Sequence, residues 1–190
     1  MSGYVLLLRG INVGGAGKLP MADLRDLLTG LGCQGVTTYI QSGNAVFSAE
    51  LGREALVGAI QDAIAAKHGF RPYSLLLTEG ELAAALNDNP WPEAEADEKP
   101  MHLIFHDNPT ISDAAALDAL LAPDEQWKLT EGVLYFRAPQ GIGRSKFMEK
   151  LPRYWKAQTT ARNLRTCQKL LEMVRATAIR PPVEDARFRK

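Results

Sequence analysis

The sequence predicts an α+β protein: two consecutive ferredoxin-like (split βαβ) halves with antiparallel sheets, followed by an additional C-terminal helix. Three observations lead there. The order strand, helix, hairpin, helix can be read twice along the 190 residues, an acidic proline-bearing stretch separates the two readings, and apolar residues come in short runs or helical stripes. Such runs suit sheets and helices that each bury one face. Little residue identity links the halves, so the duplication rests on element order. At this length folding buries roughly 70% of the surface that the open chain exposes, enough for a core without metal or disulfide staples.

Tyr4 to Ile11 is a run of Val, Leu and Ile that reads as a buried strand. Past a glycine loop, Pro20 suits a first helical turn, and Met21, Leu24, Leu27, Leu28 and Leu31 share one stripe before Gly32 ends the helix. Val36 to Ile40 and Ala45 to Phe47 are β-prone, and the polar turn between them, Gln41-Ser42-Gly43-Asn44, makes them a hairpin. Leu56, Ile60 and Ile64 mark a second helix that stops near Gly69, and Tyr73 to Leu77 follows as a strand. Thr78-Glu79-Gly80-Glu81 fits a capping box that opens a short helix to about Asn87.

The second reading starts with a strand, Met101 to His106. A helix from a Ser112 cap through Leu117, Leu120 and Leu121 comes next, then a hairpin turning at Glu131-Gly132. The loop Gly141-Ile142-Gly143 leads into a helix with Ser145 as cap. Thr160 opens a last helix whose apolar side carries Leu164, Cys167, Leu170, Leu171 and Val174. The expected organisation is therefore a first half over 1–88, a linker over 89–100, a second half over 101–178 and a polar tail over 179–190.

Composition excludes several classes. The chain is 46% hydrophobic and 23% charged, with 22 Lys+Arg against 22 Asp+Glu. A net charge of zero argues against a generic polyanion binder, and the longest aliphatic runs are too short for a membrane span of about 20 residues. No export signal is read at Met-Ser-Gly-Tyr, so the expected location is cytoplasmic. Cys33 and Cys167 stand apart and are expected to be reduced packing thiols. The neutral total hides two opposed segments. Glu79 to Glu125 holds twelve acidic residues against Lys99, whereas Arg137 to Lys169 holds nine basic residues against Glu149. Such runs act either as solvated faces or as anion-binding surfaces.

The loop from Arg9 to Lys18 lies between strand and helix, where phosphate-cradling loops occur. It does not match a nucleoside-triphosphate loop, because Asn12 stands where glycine belongs and Leu19 replaces the hydroxyl residue after Lys18. Nor does it match a dinucleotide fingerprint, since no third glycine follows Gly15-Ala16-Gly17. A flexible connection needing positive φ is its structural alternative. Ser42 and Asn44 offer a hydroxyl and an amide at the hairpin tip, in a turn that itself favours these types. Arg144 and Lys146 flank a glycine loop entering a helix, and Arg162 with Asn163 sits at the expected start of the last helix, where a guanidinium opposes the helix dipole and asks for an anion.

Metal sites find little support. His102 and His106 are on a strand, about 13 Å apart along one face, too far to share an ion. His68 precedes a helix-ending glycine, where carbonyl groups are the expected partners. No cofactor is implied. Trp127, Tyr135, Phe136, Phe147, Tyr154 and Trp155 interleave with the basic segment; they read as core, with base stacking as the functional alternative.

Four stretches together closely resemble a bacterial family catalogued as a domain of unknown function, number 1697: Leu8-Arg9-Gly10-Ile11-Asn12-Val13-Gly14-Gly15, Lys18-Leu19-Pro20-Met21, Thr38-Tyr39-Ile40-Gln41-Ser42-Gly43-Asn44 and Thr160-Ala161-Arg162-Asn163. The resemblance implies a small cytoplasmic α+β protein of two related parts and brings no established reaction. Leu164 stands where that family usually has Trp, so no stacking role is carried over to it.

The functional expectation is binding, with turnover left open, of a phosphate- or carboxylate-bearing small molecule in a cleft between the halves. Arg9, Asn12, Lys18, Ser42, Asn44, Arg144, Lys146, Arg162 and Asn163 are the candidate ligand-binding residues. A non-catalytic single-stranded nucleic-acid binder using Arg137 to Lys169, and a protein-interaction module pairing the opposed charge segments, are the alternatives.

Overall fold

The computed structural model of the chain describes residues 1–15, 17–92 and 101–179. Residues 93–100 of the expected linker over 89–100, and 180–190 of the expected tail over 179–190, lie outside the described residues. The chain divides into two units, Met1–Glu81 together with the stretch from Lys169, and Leu82–Gln168.

In the first unit, β1 (Ser2–Leu8), β2 (Gln34–Tyr39), β3 (Asn44–Ala49) and β4 (Ser74–Thr78) form an antiparallel sheet in the order β2-β3-β1-β4. The helices α1 (Met21–Gly30) and α2 (Arg53–His68) cover one face. Alternation along β1 sends Tyr4, Leu6 and Leu8 into the core with Leu24 and Leu28 of α1 and Leu56, Ile60 and Ile64 of α2. The other face carries Val5, Leu7, Val46 and Leu77, all buried. There Gly3 makes room for Val174, which an added Cβ would meet at 3.3 Å. Val174 belongs to α6 (Leu164–Ile179). Gly69 ends α2 in the left-handed conformation, its N–H donating to the Ala65 carbonyl. The capping box opens α3 (Glu79–Asn87): Thr78 N–H and Oγ1 donate to Glu81 Oε2, and Glu81 N–H donates back to Thr78 Oγ1.

The second unit repeats the sheet with β5 (Met101–His106), β6 (Gln126–Leu129), β7 (Val133–Arg137) and β8 (Thr159–Asn163), in the order β6-β7-β5-β8. Both halves therefore share the split βαβ order, as the element pattern predicts. One face packs on α4 (Ala114–Asp118) and α5 (Lys146–Tyr154) through Ile104, Leu134 and Phe136 against Leu117, Leu151 and Phe147. Phe136 and Phe147 stack with ring centres 4.9 Å apart. The opposite face carries Leu103, Phe105 and Tyr135, and the Tyr135 hydroxyl donates to the Ala85 carbonyl of α3.

Four local expectations are corrected. Ile11 lies outside β1, buried in the loop that follows. α4 is capped by Asp113, whose side chain accepts from Ala116 N–H, whereas Ser112 Oγ donates to the Tyr154 carbonyl; Leu120 and Leu121 fall beyond the helix. Thr160 does not open a helix. It belongs to β8, where Thr160 and Arg162 are buried and Ala161 and Asn163 exposed, a period of two that only a strand produces. The last helix starts at Leu164, with Asn163 Oδ1 accepting from Thr166 N–H as its cap.

Candidate functional site

At one end of the first sheet, three connections emerge side by side. β1 ends where Leu7 pairs with Asn44 and Leu8 with Ser74, so the segment after β1, the turn before β3 and the connection before β4 share this end. Backbone bonds tie them: Leu8 N–H donates to the Gly43 carbonyl and Arg9 N–H to the Tyr73 carbonyl. Gly43 is required here. Its φ is +78°, and a Cβ would lie 2.5 Å from Ile11 Cδ1 and 2.8 Å from Leu8 Cβ.

Asn12 organises the loop. With φ at 55°, it places its amide so that Nδ2 donates to the carbonyls of Leu19 and Gln41, both at 2.8 Å, while Oδ1 accepts from Leu19 N–H at 2.9 Å. One side chain thus closes the base of the loop and ties it to the neighbouring turn. Its polar atoms are engaged within the chain, which makes Asn12 a shaping residue. Asn44 does the same for the turn. It is fully buried, and its Nδ2 donates to the Tyr39 carbonyl and to Ser42 Oγ.

Arg9 and Lys18 differ: both are exposed, and neither forms an ion pair among the described residues. Two acids of the helices that cover the sheet are matched to other cations. Asp23 of α1 faces Lys67 and His68 of α2, and Asp62 of α2 pairs with Arg71. His68 thereby meets a carboxylate, Nε2 standing 3.3 Å from Asp23 Oδ2, where the sequence suggests carbonyl groups. At the start of α1, Pro20 occupies the cap position and no side chain caps the first amides. The partial positive charge of that helix end adds to the two cations.

The four remaining candidates lie in the second unit. Arg144 and Lys146 are exposed, on a short 3₁₀ turn and at the first position of α5, and Ser145 between them caps α5 by accepting from Met148 N–H. Arg162 is buried in β8, not at a helix start, and its Nη1 donates to Thr160 Oγ1 and the Ala161 carbonyl. Burial pushes its guanidinium down to about 10. Asn163 is the α6 cap. The loop with Arg144 leaves the sheet after Arg137, which pairs with Met101, and Asn163 pairs with His102. These four therefore belong to the end where β5 begins, whereas the first unit's five gather where β1 finishes. The two sets occupy non-equivalent ends of equivalent sheets.

Two residues at the first loop end escape sequence reasoning. Val13 is 68% exposed, and Ile40 is 51% exposed with a φ of 48°, rare for a β-branched residue. Ile40 reads in sequence as the last residue of a strand, and only its backbone conformation sets it apart.

His102 and His106 lie on β5 as expected, each with a buried Nδ1 that has no hydrogen-bond partner. Burial lowers the pKa of both; for His106 the Thr130 carbonyl, hydrogen-bonded to Nε2, and the charge of Asp107 oppose that shift. Cys33 and Cys167 are free and buried, and burial raises their thiols to about 11 and about 12, which makes both poor nucleophiles. Among the described residues, no group of three or more His, Cys, Asp or Glu could hold a metal ion, and no helix is long and apolar enough to cross a membrane.

Comparison with known proteins places this architecture in a family. The family model described as a protein of unknown function (DUF1697) matches residues 1–135. The solved structure of conserved bacterial protein SP0830 from Streptococcus pneumoniae is similar, with 28% identity and a TM-score of 0.70, over 91% of this chain and 98% of that one. A search of curated proteins gave no match. The chain belongs to the DUF1697 family.

Proposed function

We propose that this protein binds a phosphate- or carboxylate-bearing small molecule at the loop end of its first unit. The observation that carries the reading is the pair of exposed cations, Arg9 and Lys18, which bracket a glycine loop and form no ion pair among the described residues, while Asp23 and Asp62 pair with other cations. Arg9 forks onto the anion, Lys18 neutralises it, and the first amides of α1 donate to its oxygens. Asn12, Ser42 and Asn44 hold the loop and turn in register for that contact. Two free, buried cysteines, together with the bacterial origin of the similar solved protein, support a cytoplasmic bacterial setting.

Thermal unfolding with inorganic phosphate, pyrophosphate and simple carboxylates tests the reading. At a hundred times Kd a ligand adds about 2.7 kcal/mol of stability, a rise that melting resolves. Arg9→Ala abolishes the rise and leaves the unliganded protein folded. No rise across the panel, or a rise unchanged in Arg9→Ala, overturns the proposal.

A second reading, single-stranded nucleic-acid binding by the second unit, draws on α5. Its exposed side carries Lys146, Lys150 and Arg153, with Arg144 just before it and Lys156 just after. Titration with single-stranded RNA at several salt concentrations tests it: affinity that falls steeply with salt supports it, and no binding at low salt removes it.

A further inference from the structure

We infer that the anion received at the first unit's loop end carries an apolar body beside its charge, as an aryl phosphate does, and that Val13 and Ile40 are the pads that cover it. The inference rests on the anion-binding reading above.

Four large hydrophobic side chains are exposed among the described residues: Met1, Val13, Ile40 and Leu51. A single exposed aliphatic residue needs no explanation. Val13 and Ile40, however, belong to two segments that are bonded to each other. They are the immediate chain neighbours of Asn12 and Gln41, whose side-chain-to-carbonyl bond of 2.8 Å clamps the loop to the turn. Arg9 and Lys18 flank the same loop, so an apolar pair and an unmatched positive charge occupy one end of one unit.

Ile40 adds an independent argument. A left-handed turn position is met without cost by glycine and at little cost by asparagine, whereas a β-branched side chain there crowds its own backbone. Ile40 occupies it at φ 48° and still leaves half its surface in water. Its side chain opposes the fold locally and gains little burial in return. Strain of this kind collects at ligand clamps, and it acquires a physical reason when an apolar group covers the exposed half.

Calorimetric titration of the whole chain with inorganic phosphate and with phenyl phosphate, and with acetate and benzoate as the carboxylate arm, tests the inference. The aryl member of the favoured pair binds about tenfold more tightly, a gap of about 1.4 kcal/mol. In Val13→Ser/Ile40→Gly that ratio falls toward one while the affinity for the small anion stays unchanged. Ile40→Asn, which retains the left-handed preference, gives the same loss if the glycine variant folds poorly. Ile40→Gly alone keeps or raises the Tm of the free protein, which separates a ligand pad from a structural prop. Equal binding of both members in the wild-type protein, or a ratio that survives the substitutions, overturns the inference and leaves the anion reading in place. Failure of all four probes to bind overturns both.

Discussion

Gly43→Ala tests the architecture of the loop end most directly. The substitution meets two separate costs. At φ +78° an alanine is held in the left-handed region, which costs about 1–2 kcal/mol. Its Cβ must also displace Ile11 Cδ1 at 2.5 Å and Leu8 Cβ at 2.8 Å, and both residues are only 1% exposed. Ile11 can turn its terminal methyl only into packed neighbours. Leu8 Cβ is fixed to β1, whose N–H donates to the carbonyl of Gly43 itself, so it yields only if that bond lengthens. Overpacking of this kind costs about 1–3 kcal/mol, giving a total of roughly 2–5 kcal/mol. Gly14→Ala is the internal control: its φ is +62°, and nothing lies within 4 Å of the added Cβ, so only the backbone cost remains. At about 2–4 °C per kcal/mol for a chain of this size, Gly43→Ala lowers Tm by about 4–20 °C and Gly14→Ala by about 2–8 °C. The tryptophans, Trp91, Trp127 and Trp155, all lie beyond the first unit's Met1–Glu81 segment, so fluorescence is the wrong probe. Far-UV circular dichroism in urea, with hydrogen exchange of the Leu8 amide, reports the correct region. A loss below about 1 kcal/mol, or equal losses for the two variants, would refute the claim that this turn is locked by steric contact.

Further outcomes follow from the same geometry. Asn12→Ala removes three hydrogen bonds worth about 0.5–1.5 kcal/mol each, so the urea midpoint drops and the phosphate-dependent rise in Tm weakens with it; a midpoint unchanged from wild type argues against the clamp. His102 and His106 are held below their ordinary pKa of 6.5, chiefly by burial. The unfolded chain therefore takes up protons that the folded one refuses, and stability is flat above about pH 7 and falls as pH drops through about 6.5 toward the folded values. Urea midpoints between about pH 7 and 5 should show this slope, and His102→Gln/His106→Gln should flatten it. Tyr135→Phe leaves the Ala85 carbonyl without its donor and costs about 1–3 kcal/mol by the same denaturation assay. Asp113→Ala destabilises by about 0.5–2 kcal/mol as a lost cap, and an effect confined instead to Ser112→Ala would reverse the cap assignment.

What sequence reasoning can reach is set by how local the deciding physics is. The leucine stripe of α1, the spacing-four stripe of α2 and the Thr78–Glu81 box are each settled within one or two turns of chain, and they appear where the pattern puts them. Thr160 shows the opposite case. Thr159 to Asn163 offers one alternation of two buried residues, too short to outweigh a threonine standing before an apolar helical stripe, and the pairing with β5 decides the matter. The choice between Ser112 and Asp113 as a cap is likewise made at a distance, because the Tyr154 carbonyl takes the Ser112 hydroxyl. At the candidate site, the polar residues of the loop and turn were legible by type, but their roles were not. Asn12 and Asn44 are spent on internal bonds that only the folded register brings within reach, and Ile40 carries its signal in a torsion angle rather than in its identity.

The two units also serve as controls for each other. A glycine-rich segment between strand and helix has an obvious structural explanation: the connection needs positive φ and room to turn. The second unit makes the equivalent connection, from β5 to α4, with Asp107 to Asp113, seven residues without a glycine. Its polar groups are used in place: Asp107 Oδ1 accepts from Gln158 N–H, Asn108 Oδ1 from Thr110 N–H, and Asp113 caps the helix. The first unit spends twelve residues, Arg9 to Pro20, on the same step, with glycines at 10, 14, 15 and 17 and cations at 9 and 18. Since the shared topology is satisfied by the shorter, acidic version, neither the extra length nor the glycines nor the positive charge of the longer one is required by the fold. Each added glycine also raises the entropy cost of ordering the loop. A segment longer, more costly and more positively charged than its fold requires is where a ligand-specific demand has to be sought, because function resides in what a chain adds to a scaffold that is stable without it.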